Sequence, residues 1–86
     1  MEIELSGDAV KDFAFWKKSG NTAIQKKIQQ LFAATIASPL EGIGKPEALK
    51  YDLTGKWSRR INEEHRMIYE AVDEVIKIYS LRGHYL

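Results

Sequence analysis

The chain has 86 residues, 44% hydrophobic and 29% charged, with a formal net charge of +1 and no cysteine. That length and balance give one small globular domain and exclude a disordered charged tail, a disulfide scaffold and thiolate metal or redox chemistry. No apolar run approaches the roughly 20 residues that span a bilayer, and the start, MEIELSGD, has no basic region followed by an apolar stretch, so a cytoplasmic protein without a signal peptide or membrane contact is expected.

Ile3 to Ser6 reads as a short first strand. Ser6 suits the N-cap of a helix, with Asp8 favourable in the opening turn. Val10, Phe13 and Trp16 recur at helical spacing, with Ala14 and Lys17 beside them, and Gly20 is the stop. Asn21 caps a second helix whose apolar face is Ile24, Ile28, Leu31, Phe32 and Ile36; Lys26, Lys27, Gln29 and Gln30 lie mostly opposite. Ser38-Pro39 ends it, because the residue before a proline is pushed out of the helical region. Segment 39–46 carries two glycines and two prolines and is a loop.

Beyond the loop the pattern turns strand-like: Leu49 to Leu53, Lys56 to Asn62, Arg66 to Val72 and Val75 to Leu81. Thr54-Gly55 suggests a tight hairpin, and Asp73-Glu74 another short connection. Helices followed by strands predict an α+β fold, an N-terminal αα-hairpin packed on a mainly antiparallel sheet of about five strands. Alternation places Trp57, Arg59 and Ile61 on one face and Ser58, Arg60 and Asn62 on the other. Met67, Tyr69 and Ala71 likewise oppose Arg66, Ile68 and Glu70. One face then packs on the helices, and the other presents Arg60 and Arg66 from different strands, given the register.

The charges are unevenly spread. Lys45, Lys50, Lys56, Arg59 and Arg60 fall close together with only Glu47 and Asp52 among them, and Lys77, Arg82 and His84 follow near the end. A local basic patch on a near-neutral protein suits a specific anionic partner. Glu47, Lys50, Arg59, Arg60, Arg66, His84 and Tyr85 also make a kit for phosphodiester cleavage. A carboxylate takes the proton of a ribose 2′-hydroxyl, an arginine holds the phosphate, and a histidine protonates the leaving oxygen. The nucleophile belongs to the substrate, so no metal or other cofactor is required. Ordinary readings stand beside this one. A loop glutamate is usually solvated, Arg59-Arg60 is usually a solvated face or paired with Glu63 or Glu64, and His65 reads as structural. On these residues alone a small RNA-binding module comes ahead of a nuclease.

Four motifs shift the balance: P-x-E-G-x-G-K-P-E-x-L-K at Pro39 to Lys50, G-x-W-S-R-R-I at Gly55 to Ile61, E-E-H-R at Glu63 to Arg66, and H-Y at His84-Tyr85. In this order and spacing they resemble the YoeB/Txe toxins of bacterial type II toxin–antitoxin systems, within the RelE-like superfamily. The resemblance implies a compact microbial-RNase-like fold. It implies an mRNA endoribonuclease that cuts in the A site of the 70S ribosome, leaving a 2′,3′-cyclic phosphate and a 5′-hydroxyl. Carried over by motif, the general base falls on Glu47, the phosphate-stabilising arginine on Arg66, the general acid on His84 and the adjoining aromatic on Tyr85. RNA-holding basic residues fall on Lys50 and Arg60, and on Arg59 with lower rank because alternation turns it to the opposite face.

The same resemblance implies a neighbouring antitoxin of the YefM/Phd-like class, disordered in part when free and landing on the basic patch and its apolar rim. It also implies a homodimer, a form in which family members are often found. Two other readings compete: a non-nuclease toxin of the ParE type, which is not expected to keep Glu47, Arg66 and His84 together, and an RNA-binding module that stacks bases on Tyr51, Trp57 or Tyr69.

Overall fold

The computed structural model describes residues 1–83. Strand β1 (Glu2–Leu5) leads into helices α1 (Gly7–Ser19) and α2 (Thr22–Ala37). Strands β2 (Glu47–Ala48), β3 (Trp57–Arg60), β4 (Arg66–Val72) and β5 (Val75–Ser80) follow. They form one sheet in the order β1-β5-β4-β3-β2, antiparallel throughout except where β1 runs parallel to β5. The expected α+β architecture, an αα-hairpin on a mainly antiparallel sheet, is the one observed. No helix among the described residues is long and apolar enough to cross a membrane.

The helices begin where the capping residues stand. Ser6 Oγ accepts from the Ala9 N–H and Asn21 Oδ1 from the Ile24 N–H, both at 3.1 Å, which satisfies donors that the first turn leaves orphaned. Gly20 closes α1 at φ +74°. Ile24, Ile28 and Leu31 of α2 meet Trp16 of α1 and the inward side chains Met67, Tyr69, Ile76 and Ile78 of the sheet. Phe13 and Trp16 of α1 face inward as expected, but Ala9 and not Val10 completes the stripe, at i, i+4 and i+7; Ala9 is fully buried and Val10 is 52% exposed.

The segment expected as a strand at Leu49 to Leu53 is not one. The strand there is only Glu47–Ala48, and Tyr51–Leu53 forms a single 3-10 turn. Tyr51 sits at φ +58°, which takes the chain out of extended geometry. The Leu53 and Thr54 N–H groups donate to the Lys50 and Tyr51 carbonyls. Thr54-Gly55 is therefore the end of a longer excursion and not a two-residue hairpin. Leu49 N–H still donates to Lys56 O at 2.9 Å, which keeps the excursion closed at its base.

The loop that delivers β2 is built on one side chain. Arg59 has no exposed surface. Its guanidinium donates to Ser38 O at 2.6 Å, Glu41 O at 2.7 Å and Ile43 O at 2.9 Å, and its Nε to Tyr69 Oη at 3.2 Å. Tyr69 Oη in turn donates to Pro39 O at 2.6 Å. A buried charge is costly unless its hydrogen-bonding capacity is met, and here backbone carbonyls and a phenol meet it. Gly44 fits against this centre. A Cβ there would stand 2.8 Å from Leu31 Cδ2 and 3.1 Å from Arg59 Cβ, at φ +82°.

Arg59→Leu strands these carbonyls without donors and is expected to cost about 3 kcal/mol or more. Leu31→Ala, a plain core deletion, is expected to cost about 2–5 kcal/mol. Urea unfolding followed by tryptophan fluorescence measures both.

Candidate active site

Register decides which residues share the outer face of the sheet. Glu47 pairs with Ser58, Ser58 with Ile68, and Arg60 with Arg66. Directly paired residues point to the same side, so Glu47, Ser58, Arg60, Ile68 and Arg66 lie on the face away from the helices. Ser58 and Ile68 are buried between the charged positions, Glu47 and Arg60 are exposed, and Arg66 is half-buried. The sequence-predicted Glu47, Arg60 and Arg66 are thus brought together.

Arg60 and Arg66 are like charges directly opposed on neighbouring strands, an arrangement that is destabilising by itself. Among the described residues neither is ion-paired to a carboxylate. Arg66 Nη1 makes a single 3.3 Å bond to Asn62 O. The turn between β3 and β4 holds Arg66 at its strand end. Asn62 Oδ1 accepts from the N–H groups of Glu64 and His65 at 2.9 and 2.8 Å, and Ile61 N–H donates to His65 O.

Beside Glu47 the 3-10 excursion walls a cleft of about 330 Å³ lined by residues 47–53. Lys50, expected from the resemblance to hold RNA, is exposed and lines this cleft. Tyr51 is 90% exposed there. Tyr51, a base-stacking candidate of the RNA-binding-module reading, is held there at φ +58°.

Arg59 is corrected. The expectation that it helps hold RNA does not fit a guanidinium with no exposed surface, all of whose bonds run to the 38–43 backbone and Tyr69. Alternation had turned it inward, and the structure shows what it does there. His84 and Tyr85 lie outside the described residues. Gly83, their covalent neighbour, is described: its N–H donates to His65 Nδ1 at 2.8 Å and its carbonyl accepts from the Arg66 N–H at 3.0 Å. Two phenols are shifted. Burial holds Tyr69 above its ordinary value, against the opposing pull of Arg59. Tyr79 is also raised, first because it donates to the Glu70 carboxylate, at 2.7 Å.

Two helices on one face of a five-stranded mixed sheet is the fold of the RelE-like toxins. Residues 5–85 match the family described as YoeB-like toxin of bacterial type II toxin-antitoxin system. The chain is similar to Toxin YoeB of Escherichia coli K12, at 42% identity over 99% of this chain and 100% of that protein. It is similar in structure to a YoeB dimer from Staphylococcus aureus (TM-score 0.90, 43% identity, 99% and 98% of the two chains covered). A YoeB–YefM complex from the same organism aligns at TM-score 0.89 and 45% identity, covering 96% and 95%. The chain belongs to the YoeB family of toxins.

The raised phenols set an alkaline limit. Each keeps its proton in the folded state to a higher pH than in the unfolded chain, so its contribution is complete below the unfolded value of 10.0. It is lost as pH climbs through the folded value. Urea midpoints are expected to fall from about pH 10 upward, and Tyr79→Phe is expected to remove part of that fall.

Proposed function

We propose that the chain is a ribosome-dependent mRNA endoribonuclease. The observation that carries this reading is the Arg60–Arg66 pair, opposed across two strands without a carboxylate ion-pair partner among the described residues, on the same face as Glu47. Two guanidiniums so placed lower their mutual repulsion when a phosphate lies between them, and Arg is suited to hold it bidentately. Family membership supports the same reading.

The chemistry follows from the groups. Glu47 accepts the proton of the ribose 2′-hydroxyl as the 2′-oxygen attacks the adjacent phosphorus. Arg66 stabilises the charge that gathers on the non-bridging oxygens. His84 donates a proton to the departing 5′-oxygen, with Tyr85 beside it in sequence. The products are a 2′,3′-cyclic phosphate and a 5′-hydroxyl. Lys50 and Arg60 hold the flanking backbone. The nucleophile is the substrate's own hydroxyl, so the step needs no metal or cofactor. The ribosome's part is orientation: an mRNA held in the A site gives a small enzyme an ordered substrate, an effect worth several kcal/mol of barrier (about 7–11 at its limit).

A YefM-like antitoxin is the proposed regulator, since a relative from Staphylococcus aureus is seen with YefM. Ile36, Leu40 and Ile43 offer it exposed apolar surface near the site loop, and a segment that folds on binding can cover such a surface. A homodimer is proposed on the likeness to the YoeB dimer. The site of action is the cytoplasm, where the ribosomes are.

The test is cleavage of a defined mRNA, free and on programmed 70S ribosomes with an empty A site, with 5′ ends mapped by primer extension. A discrete cut within the A-site codon on ribosomes alone is expected. Glu47→Ala, Arg66→Ala and His84→Ala are each expected to stay folded and to cut about 10²–10³-fold more slowly. A folded Glu47→Ala protein with full activity overturns the assignment of the base. Absence of any cut overturns the nuclease reading.

A further inference from the structure

Strand β5 ends at Ser80, and with it the sheet ladder that fixes the backbone. Residues 81–83 are nevertheless held almost completely, and by side chains. Asp12 Oδ2 accepts from the Leu81 N–H at 3.0 Å, and Trp16 Nε1 donates to the Leu81 carbonyl at 2.9 Å. These two side chains are one turn apart on α1 and so reach the same point. Ser80 Oγ donates to the Arg82 carbonyl at 3.1 Å. The Arg82 guanidinium stacks 3.6 Å from the centre of the Phe15 ring. The Gly83 N–H donates to His65 Nδ1, and its carbonyl accepts from the backbone N–H of Arg66. His65 is itself braced, edge-on to Trp16 at 4.8 Å.

Core formation accounts for only part of this. Leu81 is fully buried, but Gly83 has no side chain to bury and still makes two hydrogen bonds, donating one and accepting one. It sits at φ +83°, where glycine is favoured. Chain ends are poorly ordered unless something ties them down, and here α1, the β3–β4 turn and the first residue of β4 all do so at one place. That place is one peptide bond before His84 and is bonded to the main chain of Arg66, whose guanidinium serves the site.

We propose that Asp12, Trp16 and His65 are positioning residues that fix the backbone of residues 81–83 and thereby set where the chain delivers His84. The inference rests on the nuclease reading above, which gives His84 its task. The bond from Gly83 requires the Nδ1 lone pair of His65. A side chain that keeps an acceptor at that point keeps the anchor, and one of similar bulk without an acceptor releases it. Releasing the anchor leaves RNA-binding groups in place and frees the backbone of residues 81–83, so the loss belongs to the rate at saturation.

The experiment uses the full chain and programmed ribosomes, in single turnover. Variants are His65→Leu, His65→Asn and Trp16→Phe, the last of which removes the Nε1 donor and also shrinks a buried ring. His65→Leu and Trp16→Phe are expected to lower the saturating cleavage rate about 10- to 100-fold, with half-saturating ribosome concentration held within about two-fold. His65→Asn is expected to recover most of the rate, because its Oδ1 accepts the Gly83 N–H. Amide exchange by NMR is the readout independent of activity. The Gly83 amide is expected to exchange faster in His65→Leu than in wild type, with Tyr69 and Ile78 still protected. A folded His65→Leu protein with the wild-type saturating rate overturns the proposal. So does a loss confined to half-saturation, an equal defect in His65→Asn, or unchanged Gly83 exchange. A wild-type protein that does not cut overturns the nuclease reading and the task assigned to the anchor; Gly83 exchange then still decides whether the anchor exists.

Discussion

A guanidinium without exposed surface organises this small protein. Arg59 reaches from the middle of the sheet to three carbonyls of the loop after α2 and shares a fourth bond with Tyr69, whose hydroxyl reaches a further carbonyl of that loop. A loop with two glycines and two prolines has no ladder of its own to satisfy its backbone, and Arg59 supplies the missing donors. Everything downstream depends on that. Gly44 packs against Arg59, its carbonyl takes the Arg60 N–H at 2.6 Å, and three residues later Glu47 joins the sheet edge. Position of the carboxylate on the outer face is thus determined from the inner face.

The sheet separates two electrostatic jobs by one-residue alternation. Inward positions of β3 and β4 carry Arg59, Met67 and Tyr69, which are fully hydrogen-bonded or apolar and buried. Outward positions carry Arg60 and Arg66, directly opposed on neighbouring strands. Adjacent arginines in sequence therefore have opposite fates: one is a structural cation sunk in carbonyl oxygen, the other a surface charge. A slip of one residue in register would exchange them and destroy both arrangements. The terminal segment follows the same economy of placement, since α1 and the β3–β4 turn hold residues 81–83 beside the backbone of Arg66.

Much of this was legible in the chain. Ser6, Gly20, Asn21 and Ser38-Pro39 marked helix ends because capping and proline sterics are local. Strands 66–72 and 75–80 were readable because half-buried strands alternate. Two features were not. The segment at 49–53 has strand-like composition, yet Tyr51 adopts positive φ and the chain makes a 3-10 turn. Local propensity is overridden there by closure between Leu49 and Lys56. In α1 the inward Phe13 and Trp16 are as expected, but Ala9 is buried in place of Val10, because both are apolar and local spacing does not choose between them.

Residue order alone determined the helix pair, the two-faced strands and the motifs that carry the family resemblance. These depend on spacing within a few residues, where steric and hydrogen-bonding rules act directly. Tertiary structure decided which arginine is buried, that Glu47 shares a face with Arg60 and Arg66, and that Asp12, Trp16 and His65 converge on residues 81–83. The Arg59–Ser38, Trp16–Leu81 and Asp12–Leu81 bonds join residues 21, 65 and 69 apart in sequence. No local rule reaches that far, and only the register of the sheet and the seating of α1 on β5 bring them together.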